Sequence, residues 1–172
     1  MSFMALIKAR MALNKQSKGD AKSAAKLYEE ALDKGLNAPQ YLLAYAVLLL
    51  RTGAYEKAKA LLVKTQKAPG LTEAQRQQLF VNYAVACYKL GDLPRALELL
   101  EKQHLRNPNG TLYATLGYVY VEAGDLQKAK AYNEEALAYD DQDAIALDNM
   151  GQTLYRLAGD KEAARPYFQR AL

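Results

Sequence analysis

The sequence lacks most of the side chains on which catalysis and metal binding depend. Its 172 residues include one cysteine, Cys87, one histidine, His104, and no tryptophan. A single cysteine excludes an internal disulfide, and its place in an apolar repeat segment favours a buried core thiol over a nucleophile. The lone histidine has no second histidine or positioned cysteine to act with, and no metal-ligand spacing or glycine-rich phosphate loop occurs. We therefore expect no enzyme activity, cofactor, metal or small-molecule substrate.

Long apolar runs are also missing, and we expect no signal peptide. The longest apolar stretch, Tyr41–Leu50, has ten residues, whereas a membrane-spanning helix needs about 20. Near the amino terminus, Lys8, Arg10 and Lys15 interrupt the apolar region that a signal peptide would need. We expect no membrane span and a cytoplasmic location. The net charge of +4 is spread along the chain rather than blocked, and it permits an acidic partner without requiring one.

What the sequence does contain is a repeat. Five segments align on a glycine, and consecutive glycines are 34, 38, 33 and 35 residues apart. An aspartate follows the glycine in four copies, and an alanine lies five residues after it in all five. Glycine suits the left-handed residue that ends a helix, aspartate caps the next helix, and the fixed alanine lets two helices approach closely. Each copy is therefore predicted to be a helix–turn–helix hairpin. The glycines are Gly19, Gly53, Gly91, Gly124 and Gly159.

The fourth copy carries enough fixed residues to be compared with a known family. Its order of aromatic, Leu-Gly, tyrosine and two alanines resembles the tetratricopeptide repeat (TPR), and the resemblance covers essentially the whole chain. It implies an all-α fold, a right-handed α-solenoid of five TPR-like helix–turn–helix repeats. It also implies a single array over residues 1–172, with repeats at about 4–37, 39–72, 73–109, 110–143 and 144–172. The matching residues are Tyr113, Leu116, Gly117, Tyr120, Gly124, Ala129 and Ala136.

Three irregularities interrupt the repeat. The connection between the second and third copies is about four residues longer than the others, and Thr72 with Gln75 forms a capping-box pattern that would start the next helix one turn early. The fifth copy has one extra residue before Gly159. Pro166 falls beyond the first turn of the last helix, where it should kink or weaken that helix. We expect departures from a regular hairpin at these places.

The resemblance places candidate binding residues on the first helix of each repeat. In this family those helices line a concave groove that holds an extended peptide or a partner helix. Successive candidates lie mostly three or four residues apart and so share one helix face. Tyr118 is placed either to stack on a partner side chain or to pack at the edge of the core. The candidate groove residues are Gln40, Arg51, Gln78, Asn82, Lys89, Thr115, Tyr118, Asn149 and Arg156.

Amides and cations in this set are expected to have different roles. Asn82 and Asn149 stand where related proteins hold an asparagine that grips a peptide backbone, since an amide supplies both a donor and an acceptor. Arg51, Lys89 and Arg156 favour an acidic segment or a free carboxylate. The lysine and arginine members of the carboxylate clamp found in chaperone-tail-binding relatives are missing from the matching positions. The predicted partner is therefore a protein or peptide, but not through that clamp.

The predicted function is a protein–protein interaction scaffold, and two alternatives exist. One is self-assembly: no polar capping element is visible at either end of the array, so copies would stack through Phe3, Met4 and Ile7 or through the last hairpin. The other is nucleic-acid binding, suggested by a pI near 9.0 and 13 tyrosines. We do not favour it, because several tyrosines fill repeat packing positions and many basic residues have acids nearby.

Asn133 stands at a repeat position that otherwise carries a large apolar or aromatic side chain. That position faces the packed interior between hairpins rather than the groove. We therefore expect a structural role, with neighbouring Tyr132 supplying bulk and the amide bonding a nearby backbone group or water. In the other copies this position carries Tyr28, Leu62, Leu100 and Phe168.

Overall fold

A computed structural model describes residues 2–172 of the chain. Within that range the chain forms ten α-helices, one short π-helical segment and no strand. Its contacts divide it into two compact units, of which the first ends at Gly91 and the second is Asp92–Leu172. The elements are α1 (Phe3–Ser17), α2 (Ala21–Asp33), α3 (Pro39–Arg51), α4 (Tyr55–Thr65), α5 (Glu73–Lys89), α6 (Leu93–Arg106), α7 (Gly110–Ala123), α8 (Leu126–Tyr139), α9 (Ala144–Gln152), the π segment (Thr153–Leu157) and α10 (Lys161–Ala171).

Each unit is a stack of helices arranged as hairpins. In the first unit α1 packs against α2, α3 against α4, and α5 against both α3 and α4. In the second unit α6 packs against α7, α7 against α8, and α9 against α10. The first helices of successive hairpins also touch, α1 with α3 and α3 with α5 in the first unit, and α7 with α9 in the second. The all-α hairpin architecture predicted from the glycine spacing is confirmed.

The glycine–aspartate pairs form the turns within the hairpins, as predicted. All five repeat glycines have a positive φ, between 71° and 88°, a conformation in which a Cβ would be strained. At each of the four aspartates, the carboxylate accepts a hydrogen bond of 2.9–3.2 Å from the backbone N–H three residues later. These caps satisfy donors that the helix start would otherwise leave unpaired. The capping residues are Asp20, Asp92, Asp125 and Asp160.

The long connection before the third repeat starts α5 early. Thr72 Oγ1 accepts a hydrogen bond from the Gln75 backbone N–H at 3.2 Å, and Gln75 Oε1 accepts one from the Thr72 backbone N–H at 3.0 Å. The predicted capping box is therefore confirmed. Because the cap lies upstream, α5 has 17 residues, whereas α3 has 13.

The extra residue of the fifth repeat is absorbed by the π segment. Gly124 lies seven positions after Gly117 in the fourth copy, and Gly159 lies eight positions after Gly151 in the fifth. Between them Thr153–Leu157 forms a π-helical turn, which the Ala158 N–H closes by donating to the Thr153 carbonyl at 3.2 Å. A π turn closes over one more residue than an α turn. The insertion therefore leaves the downstream glycine free to form its turn.

Pro166 does not interrupt the last helix. α10 is continuous from Lys161 to Ala171 with Pro166 inside it. The ring removes one backbone donor, so a single intrahelical hydrogen bond is lost one turn into the helix. Pro166 was expected to kink or weaken α10, but the helix continues past it. The amino-terminal cap of α10 on Asp160 is also intact.

Tyrosine and glutamine side chains join the helices of the first unit. The rings of Tyr28 and Tyr45 stack with their centroids 4.8 Å apart. The Tyr28 hydroxyl donates to Gln16 Oε1 at 2.9 Å, while Gln16 Nε2 donates to the Ala44 carbonyl at 3.1 Å. Gln16 therefore connects α1 to both α2 and α3, and buried alanines on α1 let these helices approach closely.

Candidate peptide-binding surface

The candidate groove residues of the first unit lie on α3 and α5, which are in contact. Gln40 and Arg51 stand at opposite ends of α3, and both are exposed. Gln78 and Lys89 are exposed on α5, with the partly buried Asn82 between them. The structure therefore brings these five residues onto neighbouring helices of one unit.

Asn82 has a buried donor that lacks a hydrogen-bond acceptor. Its Nδ2 atom is shielded from solvent and has no acceptor among residues 2–172. A buried amide N–H without a partner costs free energy, so an acceptor that reaches it would be bound favourably. A peptide carbonyl is such an acceptor, which agrees with the role expected of Asn82 from the sequence.

Arg51 stands beside a depression at the carboxyl-terminal ends of α1 and α3. The depression has a volume of about 190 Å³, and its walls include Gln16, Leu48 and Thr52. None of the ion pairs formed within residues 2–172 involves Arg51. Its guanidinium therefore presents charge at the surface, and its planar set of donors fits a carboxylate.

Lys89 occupies the place on α5 that Arg51 occupies on α3. Each residue lies two positions before the glycine of its repeat, Gly91 and Gly53 respectively. The Lys89 ammonium is 4.6 Å from the ring centroid of Tyr88, which keeps the cation near the end of its helix. Because α3 and α5 are neighbours, the two cations belong to the same surface.

The corresponding residues in the second unit, Glu122 and Arg156, form a salt bridge; Arg156 lies three positions before Gly159 because its repeat has one extra residue. Arg156 Nη1 donates to Glu122 Oε1 at 2.6 Å, across 34 residues of sequence. This pair shows that neighbouring first helices can bring these positions within ion-pair distance. The charge of Glu122 offsets the positive charge that Arg156 was expected to add, and a role for Arg156 in binding stays a prediction.

Two of the other candidate groove residues in the second unit make hydrogen bonds within the protein. Asn149 is only 2% exposed, and its Nδ2 donates to the Ala114 carbonyl at 2.9 Å, which holds α9 against α7. This bond uses the amide donor that Asn149 was expected to offer to a peptide backbone, and the peptide role of Asn149 stays a prediction. The Thr115 hydroxyl donates to the Thr111 carbonyl at 2.7 Å. Tyr118 is 37% exposed, so part of its ring is accessible.

Asn133 lies in the interior, as predicted, and is fully buried. Its Nδ2 donates to Thr153 Oγ1 at 3.2 Å, and that hydroxyl donates to the Asn149 carbonyl at 2.8 Å. A Cβ at Gly117 would collide with Asn133 Oδ1 and lie 3.1 Å from Asn149 Nδ2, so the glycine admits both amides. The partner of Asn133 is therefore a hydroxyl of the π segment, rather than the backbone group or water suggested by the sequence.

His104 belongs to a cluster of aromatic and acidic side chains in the second unit. Its Nδ1 lies 3.1 Å from the Tyr132 hydroxyl, and its Nε2 lies 3.5 Å from Glu135 Oε1. The Tyr113 hydroxyl donates to the same carboxylate oxygen at 2.8 Å. Burial, followed by this hydrogen bond, raises the pKa of Tyr113 to about 12. The cluster joins α6, α7 and α8, and Tyr113 remains a protonated donor at neutral pH.

Residues 2–172 contain neither a metal-ligand cluster nor a helix suited to span a membrane. Nowhere in that range do three or more potential metal-ligating side chains come together. None of the helices in it combines the length and the apolar character needed to cross a membrane. Cys87 is fully buried among apolar residues, which confirms its predicted place in the core.

Charge is distributed unevenly between the two units. Residues 1–91 contain 14 lysines and arginines against 6 aspartates and glutamates, a net charge of +8. Residues 92–172 contain 9 against 13, a net charge of −4. The sequence-based view that charge is spread along the chain is wrong at this scale, because opposite signs cancel in the total of +4. The first unit therefore carries more positive charge than the total charge suggests.

Two features of this surface were not predicted from the sequence. The Glu122–Arg156 salt bridge had a usable signal, since opposite charges stand near the repeat glycine in consecutive copies. The internal hydrogen bond of Asn149 had no signal in the sequence, because an asparagine on a first helix can bond either a peptide or a neighbouring carbonyl.

Hairpins stacked through their first helices define a helical-repeat protein of the α-solenoid class. A family model described as tetratricopeptide repeat matches residues 10–70 and 115–172, and a second model with the same description matches residues 77–102. The chain belongs to the tetratricopeptide-repeat family. No curated protein sequence matches it.

Several solved structures share this fold. TTC0263, a thermophilic TPR protein of Thermus thermophilus, superposes with a TM-score of 0.79 at 21% identity, over 98% of this chain and 90% of that one. MamA from Desulfovibrio magneticus RS-1 gives 0.74 at 19% identity, over 99% and 94%. YrrB, described as a TPR protein with an unusual peptide-binding site, gives 0.64 at 21% identity, over 97% and 84%. At these identities the similarity establishes the fold alone.

Proposed function

We propose that the protein is an interaction scaffold whose first unit binds an acidic peptide segment along α3 and α5. The observation that carries the proposal is the pair of cations Arg51 and Lys89 at equivalent repeat positions. The corresponding positions in the second unit hold Glu122 and Arg156, which bind each other at 2.6 Å. In the first unit both positions are basic, so an acid supplied by a partner would take the place that Glu122 takes in the second unit.

Asn82 supplies the second element of recognition. Its buried Nδ2 lacks an acceptor among the described residues, and it lies on α5 between Gln78 and Lys89. A bound main chain would offer a carbonyl to this donor while an acidic side chain or terminal carboxylate reaches the cations. The peptide-binding site named in the description of YrrB supports a peptide as the ligand class. The net charge of +8 on residues 1–91 would speed the approach of an acidic segment.

The test is a charge reversal on the two helices. The probes are a short fluorescein-labelled peptide rich in Asp and Glu with a free carboxyl terminus, and the same peptide with every acid changed to its amide. We expect the acidic probe to bind the wild type and Arg51→Glu/Lys89→Glu to weaken binding at least about tenfold, which corresponds to about 1.4 kcal/mol. Fluorescence anisotropy measures both affinities.

Arg76→Glu serves as the control for a single charge reversal, since Arg76 is exposed on a different face of α5 and reverses one charge where the test variant reverses two. We expect it to keep affinity within about twofold. Asn82→Leu should weaken binding without lowering stability, because it removes a buried donor that is unpaired in the free protein. Equal binding of the amide probe, or unchanged binding by the charge-reversed variant, would refute the acidic-peptide site.

A further inference from the structure

The first helix presents its large apolar side chains to solvent. Its buried face consists of alanines, with Ala5, Ala9 and Ala12 fully shielded. On the opposite face four large apolar residues form a stripe, here named the α1 stripe. A contiguous exposed patch of this kind is typical of an interaction surface. The α1 stripe consists of Phe3 (76% exposed), Met4 (49%), Ile7 (36%) and Met11 (52%).

The two edges of the α1 stripe differ in charge. α1 contains no acidic residue. On one edge Lys8 binds Glu30 and Lys15 binds Asp20, the latter pair at 3.3 Å. On the other edge Arg10 is exposed and takes part in none of the ion pairs formed within residues 2–172. The stripe therefore fits an apolar surface that carries acids along one side.

The second unit carries such a surface where α8 passes into α9. Tyr139 at the end of α8 is 57% exposed, and Ile145 in the first turn of α9 is 56% exposed. Only four residues, 140–143, separate the two helices. Asp148 lies one turn after Ile145 on the same helix face, and it is exposed. We name this surface the acidic corner, made of Tyr139, Asp140, Asp141, Ile145 and Asp148.

We propose that the α1 stripe of one copy docks on the acidic corner of a second copy. Large apolar side chains occur on both surfaces, and Arg10 flanks the first. Three aspartates flank the second, of which Asp141 also pairs with Arg170 at 3.8 Å while Asp140 and Asp148 take part in none of the ion pairs formed within residues 2–172. The opposite net charges of +8 for residues 1–91 and −4 for residues 92–172 would draw copies together in this orientation. Because the two surfaces differ, the contact is heterologous and joins copies head to tail. It uses none of the residues of the proposed peptide site.

Charge disfavours the other surfaces that could cover the α1 stripe. A symmetric antiparallel contact between two α1 stripes would place Arg10 against the Arg10 edge of the other copy, and a symmetric parallel contact would place it against the edge with Lys8 and Lys15. The exposed surface around Tyr155 and Leu172 is lined by Lys161 and Arg165 with a single acid, Glu162, so its net positive charge would disfavour the basic α1. An anionic lipid surface would meet both edges of the stripe at once, including the edge that holds the carboxylate of Glu30.

The experiment measures self-association by sedimentation velocity across a concentration series. The stripe variant is Phe3→Ser/Met11→Ser, and the corner variant is Ile145→Ser/Asp148→Lys. All four side chains are exposed, so far-ultraviolet circular dichroism should remain that of the wild type. We expect the wild type to associate as concentration rises, more strongly at low salt. Each variant alone should be monomeric, and the control Leu105→Ser, which changes an 85% exposed leucine on α6, should behave as the wild type.

Mixing the two variants provides the decisive observation. The corner variant keeps an intact stripe, and the stripe variant keeps an intact corner, so a mixture can form one complete contact. A heterologous contact predicts a 1:1 complex in the mixture and none in either variant alone. A symmetric contact or one with a different surface predicts no such complementation.

Four results would overturn the proposal. They are a wild type that stays monomeric at the highest concentration, association that survives in either variant, a mixture that fails to form the complex, and wild-type binding to phosphatidylserine vesicles without self-association. Loss of acidic-peptide binding in Arg51→Glu/Lys89→Glu would leave sedimentation unchanged, so the two proposals fail separately.

Discussion

Asn133 shows how one polar residue is accommodated in a repeat interior. Its amide donates to Thr153, while its Oδ1 has no donor among the described residues. Leu62 and Leu100 fill the same position in other repeats, and both are fully buried. The site therefore accepts an apolar side chain of similar size, and the hydroxyl of Thr153 is the group that makes an amide tolerable there.

We predict that Thr153→Val destabilises the protein by about 1–3 kcal/mol, because it leaves the buried Asn133 amide without its partner. Adding Asn133→Leu should recover most of the loss, since replacing both members of a buried polar pair by apolar groups is nearly neutral. Guanidinium unfolding of the wild type, both single variants and the double variant gives the coupling free energy.

Thr52→Val is the control for this cycle. Thr52 also donates to a carbonyl four residues earlier, at 2.9 Å, but no amide depends on its hydroxyl. We expect a change within about 0.5 kcal/mol for this partly exposed site. A double variant no more stable than Thr153→Val would show that the amide itself is required.

At the scale of elements, the hairpins pair a small residue with a large one. Ala46 and Ala84 stand seven residues before their repeat glycines, in the repeats that carry Leu62 and Leu100. In the fifth repeat Gly151 stands at the corresponding place, and Phe168 fills the large position. A Cβ on Gly151 would lie 2.6–2.9 Å from the Phe168 ring. In the fifth repeat the Phe168 ring therefore leaves no room for a Cβ at position 151.

We predict that Gly151→Ala destabilises the protein by about 1–3 kcal/mol through overpacking, despite a gain of about 1 kcal/mol in helix propensity. Phe168→Leu should cost less in the Gly151→Ala background than in the wild type, because the pair then matches Ala46 with Leu62. Thermal and chemical unfolding of the four proteins measure this difference.

Gly110→Ala is the matched control, since a Cβ there meets no atom within 4 Å and Gly110 has no positive φ. It should be neutral or slightly stabilising. Equal costs of Phe168→Leu in both backgrounds would show that the ring and the glycine do not interact energetically.

The elements also show what the sequence could predict. The glycine spacing, the aspartate caps and the Thr72–Gln75 capping box depend on neighbours within a few residues, and all of them form as expected. The only sequence signal of the π segment was one extra residue before Gly159, and that residue count did not predict a π-helical conformation. The bond from Asn149 to Ala114 spans 35 residues. Local sequence gives no measure of which distant carbonyl an amide will reach.

At the scale of the whole molecule, tyrosines are the titratable groups that burial affects most. Burial is the first cause that raises the pKa of Tyr28, Tyr45 and Tyr113 to about 12. It also raises the pKa of Tyr120 and Tyr132, the first of which donates to Glu101 at 2.6 Å. These side chains lie in both units, so their combined titration is a property of the whole chain.

We predict that stability is lost steeply as the pH rises above about 10. Below that pH the tyrosines are protonated in both the folded and the unfolded chain, so they contribute no pH dependence. Between about pH 10 and 12 the unfolded chain releases these protons while the folded chain retains them, which favours unfolding by up to about 1.4 kcal/mol per tyrosine and pH unit. Guanidinium unfolding at a series of pH values from about 9 to 11 measures the slope.

Single substitutions measure how much each tyrosine contributes to the slope of the unfolding free energy against pH. Tyr45→Phe and Tyr113→Phe should each lower it, because each removes one group that titrates differently in the two states. Leu105→Ala removes no ionisable group and should leave it unchanged. Absorbance of tyrosinate in the near ultraviolet gives an independent check, since the buried tyrosines should ionise only together with unfolding. Gradual ionisation with circular dichroism intact would mean that the hydroxyls exchange protons with solvent in the folded chain, and that their burial does not control alkaline stability.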